Sequence, residues 1–283
     1  MRSQKKFNVG YSFELFPPKT QEGMEKLQSN VRKLSRLNPH FFSVTYGAGG
    51  STQERTLETV DWLRAEGIET APHLSCIGTD REQIRGLLHH YREHGIQRIV
   101  ALRGDMPSGM QQGGDFRYAS ELVDFIRAET GNHFYIEVAA YPEFHPQAPD
   151  AGSDLWNFKL KVGAGANGAI TQYFYNADAY FRFVDSCEKL GIDIPIVPGI
   201  MPITNYTQLA RFSDTCGAEI PRWIRKRLQG FGDDSESIRA FGIEVVSSLC
   251  ERLLQQGAPG LHFYTMNQAE AIINIWRNLG LPD

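Results

Sequence analysis

A carboxylate in an apolar segment is the first residue of this sequence whose setting suggests chemistry. Glu14 stands between Phe13 and Leu15, at the end of an alternating run that predicts a β-strand. The two prolines at 17 and 18 stop that strand, because proline cannot donate to a ladder. Aromatic neighbours solvate a carboxyl group poorly, and this raises carboxyl pKa values towards the range useful to a general acid. A salt bridge to a nearby lysine or arginine is the alternative, and the segment leaves both roles open.

A charged turn, Arg103-Gly104-Asp105, follows the apolar run at 99–102. Glycine lets the backbone approach a flat ligand closely, and the two flanking charges could anchor a phosphate and tune a redox ring. A local ion pair between Arg103 and Asp105 in a turn is the alternative. The turn is therefore a candidate ligand contact.

Several histidines raise the question of a metal. His89, His90 and His94 lie in a charged helical pattern, and His90 and His94 have the i,i+4 spacing of a ligand pair. No acidic or cysteine ligand joins them at ligand spacing, so we interpret them as a solvated helix face and expect no metal. His73, with Cys76 three residues later, is weak as a metal ligand. It is a candidate polar contact, because it falls at a predicted strand end.

A glycine-rich stretch at 163–168 matches the dinucleotide fingerprint G-x-G-x-x-G in spacing only. The fingerprint needs a strand before it and a helix after it, so that backbone N–H groups point at a pyrophosphate. Here the predicted order is reversed, which favours a helix C-cap and a tight turn. A dinucleotide would have to be bound in another way.

The elements that must position these residues alternate regularly. Apolar β-like runs predict eight strands, at 8–16, 41–46, 70–74, 97–102, 133–140, 168–174, 194–199 and 260–264. Apolar helical spacing predicts helices at 22–37, 51–66, 80–94, 118–129, 154–163, 177–190, 205–215 and 234–256, and a last one near 268–279. This is the count of an α/β protein with a (β/α)8 TIM barrel, and we interpret residues 1–283 as one such domain. A doubly wound open sheet is the alternative. In such barrels the active site lies at the carboxyl ends of the strands, where Glu14, His73 and Arg103 fall.

The composition argues against two classes of partner. The net charge of −4 and the pI near 6.1 disfavour nucleic acid. The sequence has no apolar leader and no run of about 18 apolar residues, which disfavours a membrane. The four cysteines are scattered without a C-x-x-C pair, so we expect reduced thiols and a cytoplasmic protein.

Seven segments together resemble bacterial-type methylenetetrahydrofolate reductase. They lie at 13–19, 43–48, 71–76, 101–105, 139–143, 170–174 and 262–267. The resemblance runs from about residue 8 to the C-terminus, and these segments fall at seven of the eight predicted strand ends. It implies a flavin-containing (β/α)8 barrel in which FAD, reduced by NADH or NADPH, passes a hydride to 5,10-methylenetetrahydrofolate. The implied product is 5-methyltetrahydrofolate, a methyl donor for methionine synthesis.

The resemblance also implies roles for single residues. Glu14 matches the general acid that protonates N10 of the folate, and Asp105 matches a carboxylate that stabilises the resulting iminium cation. The implied substrate-binding residues are Asp105, Gln172, Gln208, Phe212, Tyr264 and Gln268. The implied FAD-binding residues are Thr45, His73, Arg103, Gly104, Asp105, Tyr118, Ala119, Tyr141, His145, Ala148, Asp154, Asn157 and Lys161. Gln268 stands where the family pattern has arginine, and it offers neutral hydrogen bonds in place of a charged contact.

Phe212 matches an aromatic position that stacks on either substrate in turn, which predicts ping-pong kinetics. We further expect a homo-oligomer and no regulatory domain beyond the barrel. Three alternatives stay open: a flavin-binding subunit of a larger complex, a pterin-using transferase, and a reductase that takes electrons from a partner protein. Glu14, Asp105 and Gln172 argue against the binding subunit, which has no need of an acid at the pterin end.

Overall fold

All the paired strands run parallel in one sheet. The structure, a computed structural model, describes residues 1–46, 50–104 and 114–282. Within these ranges the strands are β1 (Gly10–Leu15), β2 (Phe41–Val44), β3 (Thr70–Ser75), β4 (Arg98–Leu102), β5 (Tyr135–Ala140), β6 (Gly168–Thr171), β7 (Ile196–Val197), β8 (Gly199–Ile200) and β9 (Gly260–Tyr264). The helices are α1 (Gln21–Ser35), α2 (Gly50–Ala65), α3 (Arg81–Glu93), α4 (Ala119–Thr130), α5 (Ala151–Gly163), α6 (Ala177–Lys189), α7 (Tyr206–Cys216), α8 (Arg222–Phe231), α9 (Ser235–Gln255) and α10 (Glu270–Asn278).

The strand order, β7-β6-β5-β4-β3-β2-β1-β9-β8, brings the two ends of the sheet together at Pro198. β7 pairs with β6 and β8 pairs with β9, so the predicted seventh strand is one segment split in two by this proline. The N–H of His262 still donates to the Pro198 carbonyl at 3.0 Å. The predicted eight-stranded TIM barrel is therefore confirmed, with a break in its seventh strand.

Strand register decides which side chains face the barrel interior. Ser12 pairs with His262 and Glu14 pairs with Tyr264 across β1 and β9. Successive side chains of a strand point to opposite faces, so Phe13 points the other way. It is fully buried in the large apolar core packed around the strands. The interior face of β1 thus presents a hydroxyl and a carboxylate.

The helices surround the strands and mostly begin at capping side chains. A side-chain oxygen accepts a first-turn N–H in six of the described helices, at Thr20, Asp80, Asp150, Asn176, Asn205 and Asp234. α8, which follows Pro221 and buries Ile224 and Leu228, is not among the helices predicted from the sequence. Among the described residues, no helix has the length and apolar character needed to span a bilayer.

Candidate active site

Glu14 lies near the carboxyl end of β1 with only 8% of its surface exposed. Its Oε2 atom is 3.4 Å from Nε2 of His73 on β3 and 3.6 Å from Nε2 of His262 on β9. Within the described part of the chain, these two imidazoles are its ion-pairing partners, and the lysine or arginine of the sequence-based alternative is not among them. The barrel interior therefore surrounds this carboxyl group with two groups that can exchange protons.

His73 favours its neutral form. Burial lowers its pKa, the Glu14 carboxylate acts in the opposite direction, and His262 adds to the lowering. A neutral imidazole has one donor and one acceptor nitrogen, so His73 can accept from a protonated carboxyl or donate to a carboxylate. The contact can therefore accommodate Glu14 in both protonation states.

Ser12 contacts His262 at Nδ1, the ring nitrogen that does not face Glu14. The Ser12 hydroxyl lies 2.7 Å from Nδ1 of His262, and both residues are buried. This bond orients the ring so that Nε2 faces Glu14. Neither Ser12 nor His262 was predicted as a site residue from the sequence, although His262 lies within one of the segments that resemble the family. Strand alternation could have identified Ser12 as a site residue, because Ser12 and Glu14 share one face of β1.

The segment after β9 clamps the end of β1. The Thr265 hydroxyl donates to the Glu14 carbonyl at 2.6 Å. Asn267 exchanges two bonds with the Phe16 backbone: its Oδ1 accepts the N–H at 2.9 Å and its Nδ2 donates to the carbonyl at 2.8 Å. Asn267 has φ of 57°, a conformation that asparagine tolerates better than most residues. These contacts fix the backbone that presents Glu14, and Gln268 is exposed on the next turn.

Tyr264 crosses from β9 to β6 at the same end of the barrel. Its hydroxyl donates to the Thr171 carbonyl at 2.7 Å, and burial raises its pKa well above the usual value. A Cβ at Gly199 would lie 2.1 Å from that carbonyl and 2.6 Å from the Tyr264 ring, so only glycine fits there. Gln172 directly follows Thr171 in the sequence, and its Oε1 accepts the Tyr173 N–H at 3.0 Å. Two of the predicted folate contacts thus share this edge.

The turn after β4 requires glycine at position 104. Gly104 has φ of 85°, and a Cβ there would lie 2.0 Å from Oγ of Ser75 and 2.8 Å from Cγ2 of Ile77. The Ser75 hydroxyl donates to the Arg103 carbonyl at 2.9 Å, and the Arg103 guanidinium donates to the Gln147 side chain. This close packing brings the backbone of the turn against β3.

A cluster of charged groups, Arg103, His145, Asp154 and Lys161, lies beyond β4 and β5. The Asp154 carboxylate accepts the His145 N–H at 3.1 Å, and the Lys161 ammonium donates to the Ala139 carbonyl at 2.5 Å. The pKa of Lys161 is lowered to about 8, mainly by burial; Asp154 raises it and Arg103 lowers it further. The structure thus brings four predicted FAD-binding residues together as one cluster. A half-buried ammonium beside a second cation is a suitable site for an anionic group.

Two further predicted FAD contacts adjoin His145. The rings of Tyr141 and His145 make an edge-to-face contact with centroids 4.6 Å apart. The Ala148 N–H donates to the His145 carbonyl at 2.9 Å. The loop after β5 therefore extends the cluster with an aromatic side chain.

Four further residues predicted to contact FAD make none of the contacts described for the charged cluster. Thr45 follows β2, Ala119 begins α4, and Asn157 is exposed on α5. Tyr118, which precedes α4, is 55% exposed. Asp105 lies outside the described residues.

The predicted substrate contacts on α7, Gln208 and Phe212, lie one helical turn apart and are both half-buried. The next residue, Ser213, links α7 to the segment after β6, because its hydroxyl is 3.0 Å from the Tyr173 hydroxyl. Tyr173 directly follows Gln172. α7 is therefore held next to the strand end that bears a predicted folate contact.

A cavity of about 320 Å³ opens at the opposite, amino-terminal end of the barrel. Arg98 and Glu137 line it and form an ion pair at 2.5 Å. Burial raises the pKa of Glu137, while Arg98 and then His262 act in the opposite direction. Residues at this end of a TIM barrel usually contribute to stability, so we interpret the pair as structural.

Comparisons with known proteins point to one family. A family profile described as methylenetetrahydrofolate reductase matches residues 1–280. The 5,10-methylenetetrahydrofolate reductase of Pectobacterium carotovorum is 44% identical over 278 residues, which cover 97% of this chain and 92% of that protein. Methylenetetrahydrofolate reductase (NADH) 1 of Arabidopsis thaliana is 41% identical over 289 residues, which cover 97% of this chain and 49% of that protein.

A solved structure supports the fold. A Clostridium thermocellum protein described as binding two copies of 5-methyl-5,6,7,8-tetrahydrofolic acid superimposes with a TM-score of 0.67. The match covers 98% of this chain and 96% of that chain, at 18% sequence identity. At this identity the likeness concerns the fold alone.

Proposed function

The chain belongs to the methylenetetrahydrofolate reductase family, and within it we propose an FAD-dependent enzyme that uses NADH or NADPH to reduce 5,10-methylenetetrahydrofolate to 5-methyltetrahydrofolate. Reduction of methylenetetrahydrofolate is the activity that this membership supports. The identity of the flavin, the electron donor and a ping-pong order are the parts that we propose.

The observation that carries the proposal is the buried Glu14 carboxyl group between two imidazoles at the carboxyl end of β1. Opening the five-membered ring of the substrate requires a proton at N10. In our proposal Glu14 donates that proton, and the ring opens to leave a cation at N5 of the folate. His73 and His262 stabilise the carboxyl group before and after the transfer, and Ser12 fixes His262. The Asp105 carboxylate is proposed to stabilise the cation.

The charged cluster suits the phosphates of FAD. Lys161 and Arg103 would pair with the pyrophosphate, and Asp154 would keep Lys161 oriented. Gly104 has no side chain of its own, so the turn packs closely against Ser75 and Ile77, and its backbone is proposed to approach the flat flavin ring. Tyr141 and His145 would offer the cofactor an aromatic surface. FAD, when bound, supplies the hydride transfer between nicotinamide and folate.

The folate would lie between β6, β9 and α7. Gln172 and Tyr264 are proposed to contact the pterin, and Phe212 would offer a flat face for the p-aminobenzoate ring. Gln208 lies one turn from Phe212 on the same helix. The exposed Gln268 would meet the tail with neutral hydrogen bonds.

The nicotinamide nucleotide is proposed to use the same pocket at a different time. The only G-x-G-x-x-G stretch, at 163–168, ends α5 and begins β6, which is the reverse of the nucleotide-binding order. Sharing of one flavin face by the two substrates gives ping-pong kinetics. The plant relative carries NADH in its name, so NADH is the first donor to test.

The proposal extends to the setting of the enzyme. We propose a cytoplasmic homo-oligomer in which residues 1–283 form a barrel catalytic domain. Its product would supply methyl groups for methionine synthesis.

The absorbance spectrum of the purified protein tests cofactor and reaction together. The expected result is a flavin spectrum that bleaches anaerobically on addition of NADH or NADPH and returns on addition of 5,10-methylenetetrahydrofolate. Addition of tetrahydrofolate, which has no methylene bridge to reduce, is the matched control and should leave the flavin bleached.

The other possible outcomes indicate a different function for this protein or contradict the proposal. A flavin that bleaches but is not reoxidised by methylenetetrahydrofolate indicates a flavin-binding subunit. A flavin that methylenetetrahydrofolate reoxidises after chemical reduction, but that neither nucleotide reduces, indicates a protein electron donor. A preparation that neither contains nor binds FAD contradicts the proposal.

A further inference from the structure

Three potential metal ligands meet between two outer helices, away from the residues discussed so far. Asp61 lies on α2, His90 lies on α3, and His94 is the C-cap residue of α3. Each offers one ligand atom, and these three atoms lie within 4.8 Å of one another. His90 and His94 have the i,i+4 spacing of a ligand pair, but no third ligand lies near them in the sequence. The fold supplies that ligand from a different helix.

Two of the three ligand atoms are shielded from water and lack a hydrogen bond. Nε2 of His90 and Oδ1 of Asp61 are 3.6 Å apart, and neither has a hydrogen-bond partner among the described residues. Buried polar atoms usually make hydrogen bonds, so a nitrogen and a carboxylate oxygen that lie at ion-pair distance but make none call for an explanation. A cation held between them would satisfy both.

The third ligand is oriented by its own helix. Nδ1 of His94 lies 2.8 Å from the His90 carbonyl, which can only accept, so Nδ1 carries the proton. The lone pair is therefore on Nε2. A backbone carbonyl that fixes the tautomer in this way is the usual support of a histidine that binds a metal. The His90 and His94 rings are close together, with centroids 3.9 Å apart.

We propose that Asp61, His90 and His94 form a binding site for a divalent transition metal of the zinc class. Two imidazoles and one carboxylate are ligands that zinc accepts, with water completing a tetrahedron. Bonds of about 2.1 Å place tetrahedral ligands about 3.4 Å apart, so the widest pair must close by roughly 1.4 Å through side-chain rotation. The metal would link α2 to α3 on the outer surface, so its role is structural.

The test uses the untagged, metal-free protein and Zn²⁺ alone. Calorimetry should show one site per chain, and Zn²⁺ at about 100 times its dissociation constant should raise the melting temperature by roughly 4 to 8 °C. Co²⁺ should give the visible absorption of a tetrahedral site. Asp61→Asn, His90→Gln and His94→Gln should each weaken Zn²⁺ binding at least about tenfold, as loss of a ligand predicts.

His89→Gln is the matched control. His89 lies on the same helix and pairs with Glu93 at 3.3 Å, but both side chains are well exposed. This variant should bind Zn²⁺ as the parent does. The metal-free variants should melt with the parent, which would show that the substitutions do not unfold the protein. Absence of one-site binding, or equal loss of binding in His89→Gln, would overturn the proposal and leave an ordinary His90–Asp61 ion pair.

Discussion

Replacement of Gly104 by alanine should destabilise the protein measurably, for two separate reasons. The residue has φ of 85°, where a Cβ costs roughly 1–2 kcal/mol. The added Cβ would also lie 2.0 Å from Oγ of Ser75 and 2.8 Å from Cγ2 of Ile77. Overpacking of this kind costs roughly 1–3 kcal/mol. The two effects together predict a loss of about 2–5 kcal/mol in the free energy of unfolding.

A double-mutant cycle with Ser75→Ala separates the two effects. Ser75→Ala removes the closest contact and one hydrogen bond to the Arg103 carbonyl, which alone should cost about 1 kcal/mol. In the double variant the clash with Oγ is gone, but the backbone strain and the Ile77 contact persist. The double variant should therefore be more stable than the sum of the single effects predicts, by about 1 kcal/mol or more.

Urea unfolding of the FAD-free protein, followed by circular dichroism, measures these free energies. Gly86→Ala is the control, because Gly86 lies in α3 with no atom within 4 Å of the new Cβ. It should stabilise the helix by roughly 0.5–1 kcal/mol. If Gly104→Ala is as stable as the parent, the backbone argument is wrong. If the two single effects simply add, the Ser75 contact is not what excludes a side chain.

Three further predictions concern the proposed chemistry. Glu14→Gln should keep FAD and its reduction by NADH but slow folate reduction about 100- to 10,000-fold in anaerobic stopped-flow experiments, because an amide cannot donate the proton; a parental folate rate would remove the general-acid role. FAD affinity should fall as the pH rises through about 8, where Lys161 loses its charge, and titration of Lys161→Met between pH 6.5 and 9.5 should show no such fall; the same slope in both proteins would mean that Lys161 does not bind the cofactor. Phe212→Ala should weaken NADH and folate alike, each by about 1 kcal/mol, with parallel double-reciprocal lines when both substrates are varied; intersecting lines, or an effect on one substrate only, would indicate separate sites.

Most of the fold was predictable because apolar periodicity is a local property. Alternating and helical spacing placed eight strands and their helices close to where the structure has them. The break at Pro198 was not predicted, because the apolar residues of the run at 194–199 outweighed its two prolines, Pro195 and Pro198. α8 was missed for a related reason. Its buried residues Ile224 and Leu228 have helical spacing, but the basic residues around them, from Arg222 to Arg227, indicated a solvent-exposed segment.

The site was predictable only in part, because its contacts join distant segments. Residues at strand ends, such as Glu14 and His73, could be named once a barrel was assumed. Ser12 and His262 are 250 positions apart, and their hydrogen bond depends on the register of β1 against β9. The same limit applies to the outer helices, where Asp61 joins His90 only after α2 and α3 have packed. Sequence spacing identifies metal ligands that lie on one helix, but it does not identify a set of ligands that two helices share.

The described site divides into two parts that depend on different regions of the chain. The charged cluster from Arg103 to Lys161 is built by β4, β5 and α5, which all lie within residues 98–163. The environment of Glu14 needs the first strand and the last, because His262 lies on β9 and Thr265 holds the Glu14 carbonyl from the segment that follows it. Changes at the closure of β1 with β9 should therefore impair proton donation and leave the cluster proposed to hold FAD intact. This separation is the physical reason why Glu14→Gln is expected to keep its flavin and lose only the folate step.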